Sequence, residues 1–466
     1  METSSIGKAI DNRDRLSELP QNIIDIILSK LTTKTAIKNT SILSKPWRDA
    51  WITCPKLVLK RQEFCCHHSF VKFVERVLAI RATSSITAFE LYWTNVPDVS
   101  CISTWLHYAM RHNVQEIVLH VHSRDMLELP TSFFRCPTLK HLDIDGSMRL
   151  EYPRAILNCF LKLPNSLNLI NLRYLHLNFV KCTQELLEKL ISSCALLESL
   201  RLGVVFENIE ISALNLKTLY LDYIYGTVQI STPKLESLSC NLFMFGKILT
   251  EDLKFLEEAD VWCGGTLQWS VDELTKFWSQ LSNAKVLNLT GGAVESLSGI
   301  DLSYQTSPVF SNLKQLTIRA PLTTENINVI ITLLRRSPNL EKLVLHNNQT
   351  TNRLVDFWGD HKAPWQLKDG RGVSYYKAPR QLEDGCGFPN LKDISISSFL
   401  GERTEYQLVK FFLEEANTLQ MMTIYRKVSN YAATAKAICE KLLAMHIASP
   451  HAKVLITDDF PRGNWL

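Results

Sequence analysis

Leu216-Lys217-Thr218-Leu219-Tyr220-Leu221 and, nineteen residues on, Leu235-Glu236-Ser237-Leu238-Ser239-Cys240 share one pattern, Leu-x-x-Leu-x-Leu with a cysteine closing the second copy. Apolar residues in alternation describe a short strand that buries one face. Self-similarity at a period of 20–50 residues is the mark of a solenoid. Upstream, the pattern stands at Ile86/Phe89/Leu91, Val114/Ile117/Leu119, Leu139/Leu142/Ile144, Leu172/Leu175/Leu177 and Leu197/Leu200/Leu202. Downstream it continues at Ala284/Leu287/Leu289, Leu313/Leu316/Ile318, Leu340/Leu343/Leu345, Leu391/Ile394/Ile396 and Leu419/Met422/Ile424. Between Leu235 and Ala284 there is room for one further copy, and Leu256/Ala259/Val261 fits it. Core packing explains a cluster of leucines, but not a dozen copies in one register.

Each copy predicts one strand in a parallel sheet, with the return segment covering its other side. Helical periodicity marks returns at 69–80, 100–110, 184–192, 271–281 and 325–335. The repeats starting at Leu197 and Leu216 are too short for a strand, two turns and a three-turn helix, so extended or 3₁₀ returns are expected there.

The N-terminus reads differently. Asp14-Arg15-Leu16-Ser17-Glu18-Leu19-Pro20 opens a helix, since proline suits a first turn whose N–H has no partner. Ile23, Ile24, Ile27, Leu28 and Leu31 follow at helical spacing. Thr33 is placed as N-cap of a second helix, and Ser44 of a third that carries Trp47 and Trp51. Three short helices cannot bury this much apolar surface alone, so the unit needs a partner.

The stretch 14–20, the isoleucine stripe, Lys34-Thr35-Ala36 and Ser41-Ile42-Leu43-Ser44-Lys45-Pro46-Trp47-Arg48 together resemble an F-box in its plant form. Pro46 departs from it, standing where that family usually has a basic residue. The run Leu408-Val409-Lys410-Phe411-Phe412-Leu413-Glu414-Glu415-Ala416-Asn417-Thr418-Leu419 and the strand after it resemble the FBD segment that closes many plant F-box proteins with leucine-rich repeats. The resemblance implies an α/β chain: a three-helix F-box, an irregular leucine-rich-repeat solenoid with its parallel sheet on the concave side, and an α/β C-terminal cap. The boundaries read as a flexible N-terminus at 1–13, the F-box at 14–52, the solenoid at 53–389 with an inserted loop at 346–388, and the FBD-like cap at 390–466. Inside that loop, 362–372 and 377–387 share eight of eleven positions, a local tandem duplication rich in Pro, Gly and charge. No linker separates the F-box from the repeats, so the two are expected to pack as one body.

Composition bounds the function. A formal charge of +4 over 466 residues and no long Lys/Arg run give no footprint for nucleic acid. No apolar signal core and no run long enough to span a bilayer are read in this sequence, so residence in the nucleus or cytoplasm is the expectation. Twelve scattered cysteines read as reduced. Cys65-Cys66-His67-His68 lacks metal-ligand spacing, and neither a metal nor another cofactor is implied. No catalytic constellation is found, so a non-enzymatic receptor is expected.

The resemblance implies the substrate-recognition subunit of a Skp–cullin–F-box ubiquitin ligase. Leu16, Leu19, Pro20, Ile23, Ile24, Ile27, Leu28 and Leu31 would then bury against the Skp-type adaptor. Strand parity assigns a target-facing strip to His141, Asp143, Tyr174, His176, Asn178, Arg201, Tyr220, Asp222, Asn288, Arg319 and His346. Two other readings stay open: a small molecule that assists target binding on the same face, and a repeat scaffold working without the ligase. The inward basic residues Arg201, Arg319 and Lys342 are scattered, which argues against a phosphate-rich ligand.

Overall fold

The computed structural model describes residues 16, 18–40, 42–81, 84–123, 127–129, 133–146, 161–162, 169–178, 183–203, 208–242, 246–251, 253–263, 267, 269–300, 308–348, 388–427 and 432–458. The flexible N-terminus expected at 1–13 and the duplicated stretch at 362–387 lie outside them. The chain divides into two compact units, and among the described residues the division falls between Tyr174 and Leu175.

The first unit begins with four helices: α1 (Gln21–Ser29), α2 (Thr33–Thr40), α3 (Lys45–Arg48) and α4 (Ala50–Thr53). Pro20 is the N-cap of α1, and Ile24 and Leu28, one turn apart, are its buried residues. Two details differ from the sequence reading. The N-cap of α2 is Thr32, whose hydroxyl accepts the Thr35 N–H at 3.2 Å. Thr33 instead accepts the Val58 N–H at 3.0 Å and ties α2 to the first strand. The third helix is also divided at Asp49, which is the C-cap of α3 and the N-cap of α4 with φ −107° and ψ −1°, so Trp47 rides on α3 and Trp51 on α4.

β1 (Lys56–Lys60) follows at once, then α5 (His67–Ile80), β2 (Ala88–Val96), α6 (Ser100–Arg111) and β3 (Glu116–Ser123). β1, β2, β3 and the strand His141–Asp145 pair in parallel, aligning Leu57, Phe89, Ile117 and Leu142 in one buried row. β1 was not among the repeat copies read from the sequence, yet it leads the sheet. Behind it, α5 and α6 bury an aromatic cluster in which Trp93 stacks on Trp105 at 5.7 Å and meets Phe70 edge-on at 5.1 Å.

Arg81, at the C-terminal end of α5, joins the helical head to the repeats. It is fully buried, and its guanidinium donates to the backbone oxygens of Trp51 and, at 2.5 Å, Cys54, which end α4. Tyr108 Oη donates to the Arg81 backbone oxygen at 2.7 Å, bringing in α6.

In the second unit the apolar register is nearly unbroken. Leu200, Leu219, Leu238, Ala259, Leu287, Leu316, Leu343, Ile394, Met422 and Val454 align across successive parallel strands. The copy at Leu256/Ala259/Val261 is the strand Glu258–Cys263. Helical returns stand at Gln184–Ser193, Val271–Leu281, Thr324–Arg335 and Arg403–Glu415. The short repeats return through Ile209–Ser212, Thr227–Ser231 and Lys247–Thr250, which pair into a second parallel sheet. An unforeseen helix, Gly291–Ser298, starts directly after the strand Val286–Thr290. Its Gly292 lies so close to the preceding repeat that a Cβ would meet the Cys263 backbone oxygen at 2.6 Å.

Of the stretch 346–388 read as an inserted loop, only 346–348 and 388 are among the described residues. His346 and Asn347 end the strand Lys342–Asn347, and Phe388 is buried with its ring 5.8 Å from Phe411. Asn347 is itself buried, donating at 2.7 Å to Glu405 of the terminal segment. Glu405 also accepts the Leu400 and Glu402 N–H groups, so this carboxylate is fully used in docking the cap.

Candidate protein-interaction surfaces

On the helical head, α1 carries more apolar residues than one core stripe needs. Ile24 (3% exposed) and Leu28 (2%) already lie inside the head, so they are not free to bury against a partner, as the sequence reading had it. One spacing pattern covers two faces here: positions 24 and 28 point in, while 23, 26 and 27 form an outward ridge. Ile23, Ile27 and Leu16 are exposed, as is Pro20, and Leu19 and Leu31 are half-buried. The sequence reading missed Ile26 (55% exposed) and Ile42 (83%). Isolated exposed leucines mean little, whereas contiguous isoleucines on one helix mark an interaction site.

In the first unit the open face of the sheet is a chain of paired charges and rings. Lys56 pairs with Glu90 at 2.6 Å, and Tyr92 Oη donates to Glu90 at 3.1 Å. The Lys60 ammonium lies 5.1 Å over the Tyr92 ring, and Tyr92 meets His120 edge-on at 5.0 Å. His120 Nε2 approaches Asp143 to 3.4 Å. Burial pulls the His120 pKa down, but the Asp143 hydrogen bond and charge outweigh it and the net shift is upward. Burial, with the Glu90 charge, pushes the Tyr92 hydroxyl up to about 12. His141 stacks on Tyr174 at 4.0 Å with the planes 12° apart. His141, Asp143 and Tyr174 thus lie half-buried on this face. Tyr92, Glu90 and His120 join them, and the parity rule would have found all three had it been extended to the earlier copies.

In the second unit, Arg201 donates through Nε and Nη2 to one Asp222 oxygen at 3.2 and 3.0 Å, with the Tyr220 ring 5.8 Å beneath its guanidinium. Asn288 donates to Asp260, and the Arg319 guanidinium stands 5.4 Å from the Trp262 ring. Trp262 is 43% exposed on an otherwise polar face and was not singled out in the sequence. His346 Nδ1 and Ser397 Oγ are 2.5 Å apart. Burial, then the nearby Arg319 charge, lowers the His346 pKa to about 4.

Two residues of the expected strip do other work. His176 leaves the strand on the right side but is buried, because parity sets direction and not whether neighbours close over a side chain. The Asn178 side chain is packed against Gly203, where a Cβ would come within 1.8 Å of its Oδ1. Tyr223 lies at a break in strand register with φ +53°, rare for a bulky residue; such bulges re-aim side chains at a sheet's rim.

No described helix is long and apolar enough to cross a membrane. Among the described residues no group of three His, Cys, Asp or Glu side chains could hold a metal ion. His67 Nδ1 accepts from the Trp93 indole at 3.0 Å and from Arg61 at 3.3 Å.

Comparison with known families agrees with this geometry. Residues 16–59 match the F-box domain, residues 388–424 match the FBD, and residues 102–344 match the repeats described as "FBD-associated F-box protein At5g56370, LRR repeats". The last match alone spans more than half of the chain. The protein belongs to the F-box/FBD/LRR-repeat family. Among its relatives in Arabidopsis thaliana, the F-box/LRR-repeat protein At5g02910 is 27% identical, covering 96% of this chain and 94% of its own length. The F-box/FBD/LRR-repeat protein At1g13570 is 26% identical over 96% of this chain and the whole of the relative. The FBD-associated F-box protein At5g22730 is 22% identical over 95% and 94%. As an F-box/LRR protein the chain is a protein-interaction adaptor, and its F-box is of the kind that binds a Skp-type adaptor.

Proposed function

We propose that this F-box/FBD/LRR protein is the substrate-recognition subunit of a Skp–cullin–F-box ubiquitin ligase, without chemistry of its own, acting in the nucleus or cytoplasm. The observation that carries the reading is the outward ridge Ile23, Ile26 and Ile27 on a head whose own core, Ile24 and Leu28, is already filled. A ridge of that kind is surface for a partner, not unfinished core. The Arg81 joint is consistent with it, since it ties the end of α4 to α5 and α6 and so seats the head on the first repeats. The target is a protein, met by the open sheet face through Arg201, Tyr220, Trp262 and Arg319. Trp, Tyr and Arg dominate binding energy at protein interfaces.

The test is co-purification with a Skp-type adaptor. Ile23→Glu with Ile26→Glu should remove the adaptor while thermal stability stays within about 0.5 kcal/mol, as is usual for surface changes. Leu28→Ala, a core truncation, should instead destabilise the head by roughly 2–5 kcal/mol. Retained adaptor binding by the folded glutamate variant would refute the assignment.

A further inference from the structure

One motif has no part in either surface: Cys65-Cys66, in the segment between β1 and α5. Of the nine cysteines among the described residues, only these two are exposed, whereas Cys54, Cys136, Cys194 and Cys240 are buried. Cys66 is the N-cap of the fourteen-residue α5, with φ −144° and ψ 162°. Both thiols converge on one hydroxyl: Ser69 Oγ lies 3.4 Å from Cys66 Sγ and 3.7 Å from Cys65 Sγ. The backbone beside them is anchored, because Arg61 donates to the Phe64 oxygen at 2.7 Å and the Phe64 ring packs on Phe70 and Phe73. Lys34 of α2 donates to the Glu63 oxygen and stands 4.1 Å over Phe64, so the pair sits beside the tie between head and repeats.

We propose that Cys65 and Cys66 form an oxidisable dithiol, a modification site for hydrogen peroxide or an alkyl hydroperoxide, with Cys66 the attacking thiol and Cys65 the resolving one. In the first step the Cys66 thiolate attacks one peroxide oxygen. The O–O bond breaks, the leaving hydroxide (or alkoxide) takes up a proton, and Cys66 becomes a sulfenic acid. The Cys65 thiolate then attacks that sulfur, the S–O bond breaks, and water leaves as the disulfide forms. Two thiols give up two electrons and two protons, and one hydrogen peroxide becomes two waters. Hydrogen bonding with Ser69, then with Cys65, holds the Cys66 thiol below its ordinary pKa, while burial pushes Cys194 up to about 11. Exposure makes the pair selective, since a peroxide reaches Cys65 and Cys66 while Cys136, Cys194 and Cys240 are buried.

The full-length protein, purified with its Skp-type adaptor, is given increasing hydrogen peroxide, quenched with maleimide and read by peptide mass spectrometry. The peptide holding Cys65 and Cys66 should lose both maleimide labels, and two hydrogens in mass, before the peptides of Cys136, Cys194 or Cys240 change. In Cys65→Ser, dimedone should trap the sulfenic acid on Cys66. Equal oxidation of the buried cysteines, or a Cys65–Cys66 peptide that stays labelled, would overturn the proposal. A Cys66→Ser chain whose Cys65 reacts as fast as the intact pair would overturn the assignment of the attacking thiol.

Discussion

Arg81 is a fully buried cation, and the groups that act on its charge are Tyr108 and Cys54 rather than a carboxylate. Its charge is spread instead over two carbonyls at the end of α4, the negative pole of a helix, and burial presses its pKa below the ordinary value. Arg81→Met keeps most of the volume but strands both acceptors. It should destabilise the first unit by roughly 2–4 kcal/mol, read as a lower denaturant midpoint at unchanged slope. His346 sets a different condition. Its folded pKa of about 4 lies below the ordinary 6.5, so between those values the unfolded chain holds more protons than the folded one. Stability is therefore complete above pH 6.5 and falls as the pH drops towards 4. Allowing for solvent screening at a half-buried site, the fall is roughly 1–2 kcal/mol. In His346→Gln this part of the acid-side loss should vanish, as urea melts at pH 7 and 4.5 would reveal.

At five places in the array, neighbouring repeats are held together by more than the backbone ladder. The Asn that often precedes the leucine pattern donates its side-chain N–H to a carbonyl of the previous repeat. The pairs are Asn171 to Pro137 at 2.6 Å, Asn215 to Ala195 at 3.0 Å, Asn283 to Leu253 at 3.2 Å, Asn339 to Ser311 at 2.8 Å and Asn390 to Pro338 at 3.0 Å. These carbonyls lie in turns, where the sheet offers them no donor. Asn339→Ala should cost about 0.5–1.5 kcal/mol, a net hydrogen bond, with circular dichroism unchanged. Asn339→Asp, which keeps the shape but loses the donor, should cost at least as much.

At the scale of the whole molecule, the two proposed interaction surfaces differ in chemistry. The isoleucine ridge of the head is apolar, while the open sheet face is polar with tyrosine, tryptophan and arginine set into it. The two should therefore be separable by mutation. Tyr220→Ala with Trp262→Ala should leave adaptor co-purification intact and shift stability by less than about 1 kcal/mol, since both side chains are substantially exposed. Ubiquitination of a target identified by proximity labelling with the ligase stalled should be lost. A large fall in melting temperature would instead make these rings structural.

The sequence by itself determined the architecture, because a repeat writes the same burial rule a dozen times. Leu219, Leu238, Leu287, Leu316 and Leu343 had to share a row once each sat in its own Leu-x-x-Leu-x-Leu. The short 19-residue period likewise ruled out helical returns where the second sheet now stands. Period and parity are local properties of a chain, so they can be read without the fold. What covers a side chain is not local. Only the tertiary structure decided that Ile24 and Leu28 point into the head while Ile26 points out, that His176 is enclosed, and that Trp262 lies open beneath Arg319. Arg81 shows the same limit most sharply: nothing in its neighbourhood along the chain marks it as buried, and its two acceptors lie 27 and 30 residues away.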